Sequence, residues 1–200
     1  MGNMEALYNT WKAIGVSGGD LSFFQNFFVK FYQAFIEADR WLQDLNGVKT
    51  TLLVTALALI LGVALGVTVA ILRTAHDQQR PGHRNPVLAV LNLVCKIYVT
   101  VIRGTPMMVQ LLIMGFVIFA SSRNFTMIGT LTLGINSGAY VSEIVRGGLM
   151  SVDKGQMEAG RSLGLGYGTT MRFVIVPQAV KAILPALGNE FIVLLKDTSL

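Results

Sequence analysis

The sequence predicts an all-α, polytopic bundle of transmembrane helices, and three observations carry that prediction. Of the 200 residues, 52% are hydrophobic and only 14% are charged, against about 25% charged in a typical soluble domain. Residues 50–72 are a run of 23 without one charge, and at about 1.5 Å per residue this crosses a hydrocarbon core of roughly 30 Å. Where polar residues return they gather in loops with more bases than acids, the pattern of cytoplasmic loops. A soluble protein is excluded.

The net charge of +5 (16 basic, 11 acidic residues) fits positive-inside loops before it fits an anionic partner. No basic cluster stands clear of an apolar segment, so nucleic acid is not an expected partner. The single Cys95 lies in an apolar run, which leaves no disulfide framework and no cysteine-based metal site. The first residues lack a basic stretch followed by a short apolar core, so no cleavable signal peptide is expected.

Residues 1–20 show little periodicity and are left unassigned. From Leu21 the pattern changes. Ser22 and Gln25 have capping-box spacing, and Phe23, Phe24, Phe27, Phe28, Phe31 and Phe35 follow at helical intervals. Asn26, Lys30, Gln33 and Glu37 occupy the other face. This is an amphipathic helix, suited either to the membrane interface or to a partner's helices. Asp39, Arg40, Trp41 and Asp44 then read as a polar connection, with Trp41 at headgroup level. Residues 1–47 are assigned as an N-terminal extension and 48–200 as the transmembrane domain.

The first span, 50–72, repeats small residues at Ala58, Gly62, Gly66 and Ala70, one face for close helix packing. The loop after it holds Arg73, Arg80 and Arg84 against Asp77 and is placed inside. Its two histidines, His76 and His83, have no third ligand nearby and read as solvated residues, not a metal site. Residues 86–120 are apolar but interrupted by Lys96 and by Arg103-Gly104-Thr105-Pro106, which reads as a kinked helix. Residues 125–142 are 18 without a charge and make another span. A polar, glycine-rich interval covers about 143–172, and 173–195 returns to the membrane. With both basic loops inside, an even number of crossings must separate them, so 86–120 is one crossing and residue 1 lies outside.

The interval at 143–172 carries the functional signal. Glu158-Ala159-Gly160, then Gly164, then nine residues to Val174-Ile175-Val176-Pro177 resembles the EAA motif, Glu-Ala-Ala-x3-Gly-x9-Ile-x-Leu-Pro, of permease subunits in bacterial ABC importers. Gly160 stands for the second Ala, and valines stand for Ile and Leu, but the spacing is intact. Three further segments are similar to the polar amino-acid branch (histidine, glutamate, glutamine, arginine, opines) of the binding-protein-dependent inner-membrane family. They run from Arg103 through Gln110 to Leu111, from Asn136 through Tyr140 to Gly147, and from Asn189 to Leu200. The resemblance covers about residues 48–200. It implies a type I importer permease fold with a fifth span beyond Leu200. It implies a coupling helix at Glu158, Ala159, Gly160, Gly164 and Pro177, seated on a cytoplasmic ATPase whose closure drives alternating access.

The resemblance also implies the partners: two ATP-binding subunits, a second permease, identical or similar, and an extracytoplasmic amino-acid-binding protein. ATP-Mg belongs to the ATPase. The chain has no G-x-x-x-x-G-K-[ST] loop and is not expected to be an enzyme or to bind a cofactor. Candidates for the substrate path are the intramembrane polar residues Arg103, Asn136, Tyr140, Glu143, Asn189 and Glu190, of which Asn136, Tyr140 and Glu143 fall at i, i+4 and i+7 on one helix face. The competing role for these residues is to make salt bridges between spans or to mark the cytoplasmic interface. A secondary transporter driven by an ion gradient is the alternative function, but such proteins show internal repeats, and none is evident.

Overall fold

A computed structural model describes residues 2–79 and 85–199. Arg80, His83, Arg84 and Leu200 lie outside the described residues. The described residues contain helices and no strand, and the chain divides into two compact units, 1–50 and 51–200.

The first unit begins with a helix that the sequence left unassigned, α1 (Gly2–Val16). Gly2, Asn3, Asn9 and Thr10 are weak helix formers, and aromatic packing onto α2 (Phe23–Phe35) holds it instead. Tyr8 stacks on Tyr32 at 4.3 Å and Trp11 meets Phe28 edge-on at 5.3 Å. The capping box forms, with the Ser22 N–H donating to Gln25 Oε1 at 2.9 Å. Phe28 and Val29 are covered, but Phe23, Phe24, Phe27, Phe31 and Phe35 are all exposed, so most of the phenylalanine face of α2 has no cover within this unit. A 3-10 turn (Glu37–Asp39) follows, with Ala38 and Asp39 both at positive φ. Lys12 reaches across to donate to Glu37 at 2.7 Å.

Helix α3 (Arg40–Asp77) starts where a polar connection was expected and is continuous for 38 residues. In the second unit its small stripe is buried: Ala58 and Ala70 are fully enclosed. A Cβ on Gly62 would come within 2.8 Å of the Ser137 Cβ, and one on Gly66 within 2.6 Å of the Val141 Cβ. The backbones of α3 and α6 (Phe125–Met150) approach closely because these residues lack bulk. Val54, Ala58, Leu133 and Leu194 form the packed centre.

Helix α4 (Pro86–Gly104) is capped by the Asn85 side chain, which accepts from the Val87 N–H. The expected kink is a break: Thr105 and Pro106 are extended, and α5 (Met107–Ile113) then begins afresh. A π-helical turn (Met114–Ile118) ends that segment. Helix α6 runs eight residues beyond the expected limit at Ser142. Two short helices follow, α7 (Lys154–Ser162) and α8 (Tyr167–Thr170). A second π turn (Met171–Ile175) leads into α9 (Val176–Asp197), widening the coil just before Pro177, whose ring would press on the carbonyl four residues back. Among the described residues, three stretches are long and apolar enough to cross a membrane: Glu37–Asp77, Pro86–Gly104 and Tyr167–Asp197. Helix α6 is long enough but more polar, and it is the most enclosed, with Thr132, Asn136, Ser137 and Ser142 all buried.

Candidate translocation cleft and coupling helix

The break at Pro106 builds one wall of a polar cleft. Proline has no N–H, so the Ile102 carbonyl four residues earlier loses its helical donor. Gln110, itself buried, supplies a replacement: its Nε2 donates to the Ile102 carbonyl at 2.8 Å, to the Thr105 carbonyl at 3.1 Å and to Thr105 Oγ1 at 2.8 Å. Its Oε1 accepts from Asn136 Nδ2 at 3.0 Å. One amide therefore fixes the break and ties it to the middle of α6.

On the other side of Asn136 lies a cleft of about 270 Å³ lined by Thr105, Met107, Asn136, Tyr140, Asn189, Glu190, Val193 and Asp197. Helix α9 supplies the acids. Glu190 is only 7% exposed, and among the described residues no lysine or arginine pairs with it. Arg103 lies next to the cleft, with its guanidinium 5.1 Å from the centroid of the Tyr140 ring, a cation–π arrangement. The cleft thus offers an acceptor pole at Glu190 and Asp197, a cation beside Tyr140, and amides between them. Four of the candidates read from the sequence line it, and Arg103 abuts it.

Glu143 does not line it. Its carboxylate accepts from Arg73 on α3, and Arg146 one turn on lies 3.4 Å from Asp77. The two helices exchange charges reciprocally, α3 giving a base and an acid and α6 an acid and a base. His76 adds a contact of 3.1 Å with Asn92 of α4. This layer joins three helices at one level, and Glu143 lies in it, outside the lining of the cleft. Gln110, Thr105 and Asp197 were missed as site residues. The signal for Gln110 was its position four residues after Pro106.

The EAA segment folds as a defined unit. Asp153 caps α7, its Oδ1 accepting from the Gly155 N–H at 2.7 Å. Glu158 and Ala159 are exposed. At the other end the Leu165 N–H bonds the Gly160 carbonyl at 3.1 Å and the Gly164 N–H bonds the Arg161 carbonyl at 3.0 Å. Together with φ of +78° at Gly164 this is a Schellman turn, which wants glycine at that point. Gly160 is buried against Thr170: a Cβ there would come within 2.5 Å of Thr170 Cγ2 and 2.8 Å of its Oγ1. The departure from the second alanine therefore makes room for a fully enclosed threonine on α8. Pro177 sits in the first turn of α9, and Gln178 Nε2 reaches Gln156 Oε1 of α7 at 3.3 Å.

Residues 87–200 match the model of the family described as "Binding-protein-dependent transport system inner membrane component". The chain belongs to that family. It is similar to an arginine transport system permease protein of Corynebacterium glutamicum, 38% identical over 165 residues, covering 75% of this chain and 49% of the relative. It is similar also to a glutamine transport system permease protein of Escherichia coli, 37% identical over 163 residues, covering 78% of this chain and 68% of the relative. This inner-membrane component thus spans about half the length of the first and two thirds of the second. Among solved structures, it resembles an amino acid ABC transporter crystallised with histidines, with a TM-score of 0.63 and 41% identity over 79% of this chain and 73% of that one. It resembles a methionine ABC transporter in inward-facing conformations with a TM-score of 0.61 and 25% identity over 78% of this chain and 71% of that one. The all-α, multi-pass membrane architecture follows from this membership together with the apolar helices.

Proposed function

We propose that the chain is the membrane-spanning permease subunit of an ABC importer for polar amino acids in a bacterial cell membrane. The observation that carries this reading is the cleft between α5, α6 and α9. A zwitterionic amino acid needs carboxylates for its ammonium and a cation for its carboxylate, and Glu190, Asp197 and Arg103 stand around one small volume. Asn136, Tyr140 and Asn189 supply neutral hydrogen bonds along it. The relatives named for arginine and glutamine transport support that substrate class.

In this reading α7 seats on one of two partner ATPase subunits that hold ATP-Mg, with Glu158 and Ala159 at the contact and Gly160, Gly164 and Pro177 shaping the helix. The force path is short. Movement of α7 presses through Gly160 onto Thr170, and from there through the π turn into α9, the helix that carries Asn189 and Glu190. A second permease and an extracytoplasmic binding protein complete the complex, residue 1 faces outward, and 50–72, 86–120, 125–142 and 173–195 are the four spans. Alternating access then works on the cleft from the ATPase side. The family membership speaks for this over an ion-driven carrier.

The test is Glu158→Lys in the assembled complex. Membrane insertion should be retained while substrate-stimulated ATP hydrolysis is lost; coupling at the wild-type level would overturn the assignment of α7. Separately, Asn136→Ala should abolish uptake without affecting assembly with the ATPase, and unchanged uptake would remove the cleft from the path.

A further inference from the structure

Helix α4 carries polar side chains beyond the one that abuts the cleft. Asn92, Lys96, Thr100 and Arg103 recur along it, and at about 100° per residue they fall on one stripe about 80° wide. Val90, Val94, Ile97 and Val101, all exposed, occupy a separate face about 60° wide, which suits lipid. Lys96, Thr100 and Arg103 are exposed as well. In a helix long and apolar enough to cross a membrane, two bases and a hydroxyl set apart from the lipid-facing residues belong against water or protein.

Contacts fix both ends of the stripe. At one end the Arg103 guanidinium lies 5.1 Å from the ring centroid of Tyr140, a cleft residue. At the other, Asn92 Nδ2 meets His76 Nδ1 at 3.1 Å, in the layer that holds Asp77 and Arg146. Lys96 is about 6 Å along the axis from Asn92 and about 10 Å from Arg103, with Thr100 between the two bases. The stripe therefore runs from the cleft to the layer beside the basic loop, which the positive-inside pattern puts in the cytoplasm. Among the described residues no acid pairs with Lys96 or Arg103.

We propose that Lys96 and Thr100 form a second carboxylate station, to which the transported amino acid passes its carboxylate from Arg103 as it leaves the cleft for the cytoplasm. This rests on the amino-acid permease reading above. The carboxylate is the one anionic group that every α-amino acid carries whatever its side chain, so a cationic track serves release without repeating the selection made in the cleft. The long stems of arginine and lysine let the two heads share the distance between them, and the Thr100 hydroxyl donates midway.

The chain's single cysteine, Cys95, is buried, so Cys95→Ala gives a thiol-free background, and Thr100→Cys in it keeps both bases. In the assembled importer in nanodiscs without nucleotide, the Thr100→Cys thiol should react with the anionic sulfonatoethyl methanethiosulfonate about tenfold faster than with its cationic trimethylammonium counterpart, each rate taken relative to a free thiol. Ile97→Cys, on the lipid side, should stay unmodified. Lys96→Met should lower the maximal uptake of L-arginine or L-glutamine into proteoliposomes about tenfold, and Lys96→Arg should restore it. A Thr100→Cys thiol that does not react, or reacts without preference for the anion, overturns the proposal. Disulfide cross-linking between two Thr100→Cys copies would do so as well, giving the stripe to a permease–permease contact. Parental uptake by Lys96→Met would remove the station and leave the cleft standing, whereas parental uptake by Asn136→Ala would remove the cleft and the station with it.

Discussion

The side-chain amide of Gln110 donates to the Ile102 carbonyl at 2.8 Å, the acceptor that Pro106 cannot serve, and the same amide accepts from Asn136 at 3.0 Å. A backbone defect and a cleft residue are thus fastened by one side chain. Gln110→Leu keeps the volume and deletes every one of these bonds. It strands a buried carbonyl and the Asn136 amide, and a loss of about 2–3 kcal/mol in stability is expected, read as a lower unfolding midpoint in detergent. Gln110→Glu should also be impaired, because a carboxylate has no proton to give Ile102. A Gln110→Leu variant as stable as the parent would show that the break holds itself.

Gly160→Ala restores the alanine of the EAA pattern, yet here it should be harmful. The new methyl meets Thr170 at 2.5 Å, and overpacking of this kind costs about 1–3 kcal/mol. Thr170→Ala removes the obstructing atoms. The double variant should therefore be more stable than Gly160→Ala alone, and a double-mutant cycle in thermal unfolding reads that coupling. Additive effects would mean that the two residues do not share the space.

Arg73 and Glu143 form a pair that is largely shielded on the arginine side and one-third exposed on the other. Arg73→Glu places two acids together and, after allowance for solvent, should destabilise by about 1–2 kcal/mol. Arg73→Glu combined with Glu143→Arg should recover most of the loss. Transport would follow stability in both variants if Glu143 is a structural partner; a transport defect that persists in the charge swap, with stability regained, would return Glu143 to the substrate path.

The Lys12 ammonium is held above the ordinary lysine value of 10.5 by its hydrogen bond to Glu37. A raised value in the folded state contributes stability in full below 10.5 and loses it as pH climbs through the folded value. The N-terminal unit should therefore loosen in alkali, visible as a fall in the unfolding midpoint followed by tryptophan emission. Lys12→Met should remove that part of the alkaline slope, and an unchanged slope would exclude the pair as its source.

The membrane class, the family and the stripe at Ala58, Gly62, Gly66 and Ala70 were legible in the sequence, because each rests on composition or on spacing along one helix. Depth was not legible. Asn136 and Glu143 share a helix face by periodicity, but seven residues are about 10 Å along the axis, and at that distance Glu143 meets Arg73 instead of the cleft. Nor could spacing show that Gly160 answers Thr170, since the two residues meet only after a Schellman turn has reversed the chain. Helix α1 escaped for a different reason: its stability lies in Tyr8 and Trp11 touching α2, and a local reading of Asn and Gly contains no trace of that.

The π turns at Met114–Ile118 and Met171–Ile175 have a consequence for how this chain tolerates change. In each, a backbone N–H reaches five residues back, Phe119 to Met114 and Val176 to Met171, which makes each turn an α-helix with one residue inserted. Removing a single residue from the second would let the coil close to ordinary α geometry and rotate everything beyond it by about 100°. Asn189 and Glu190 would swing off the cleft together while every downstream residue kept its identity. Length between positions 171 and 175 is therefore as much a part of the cleft as the side chains that line it.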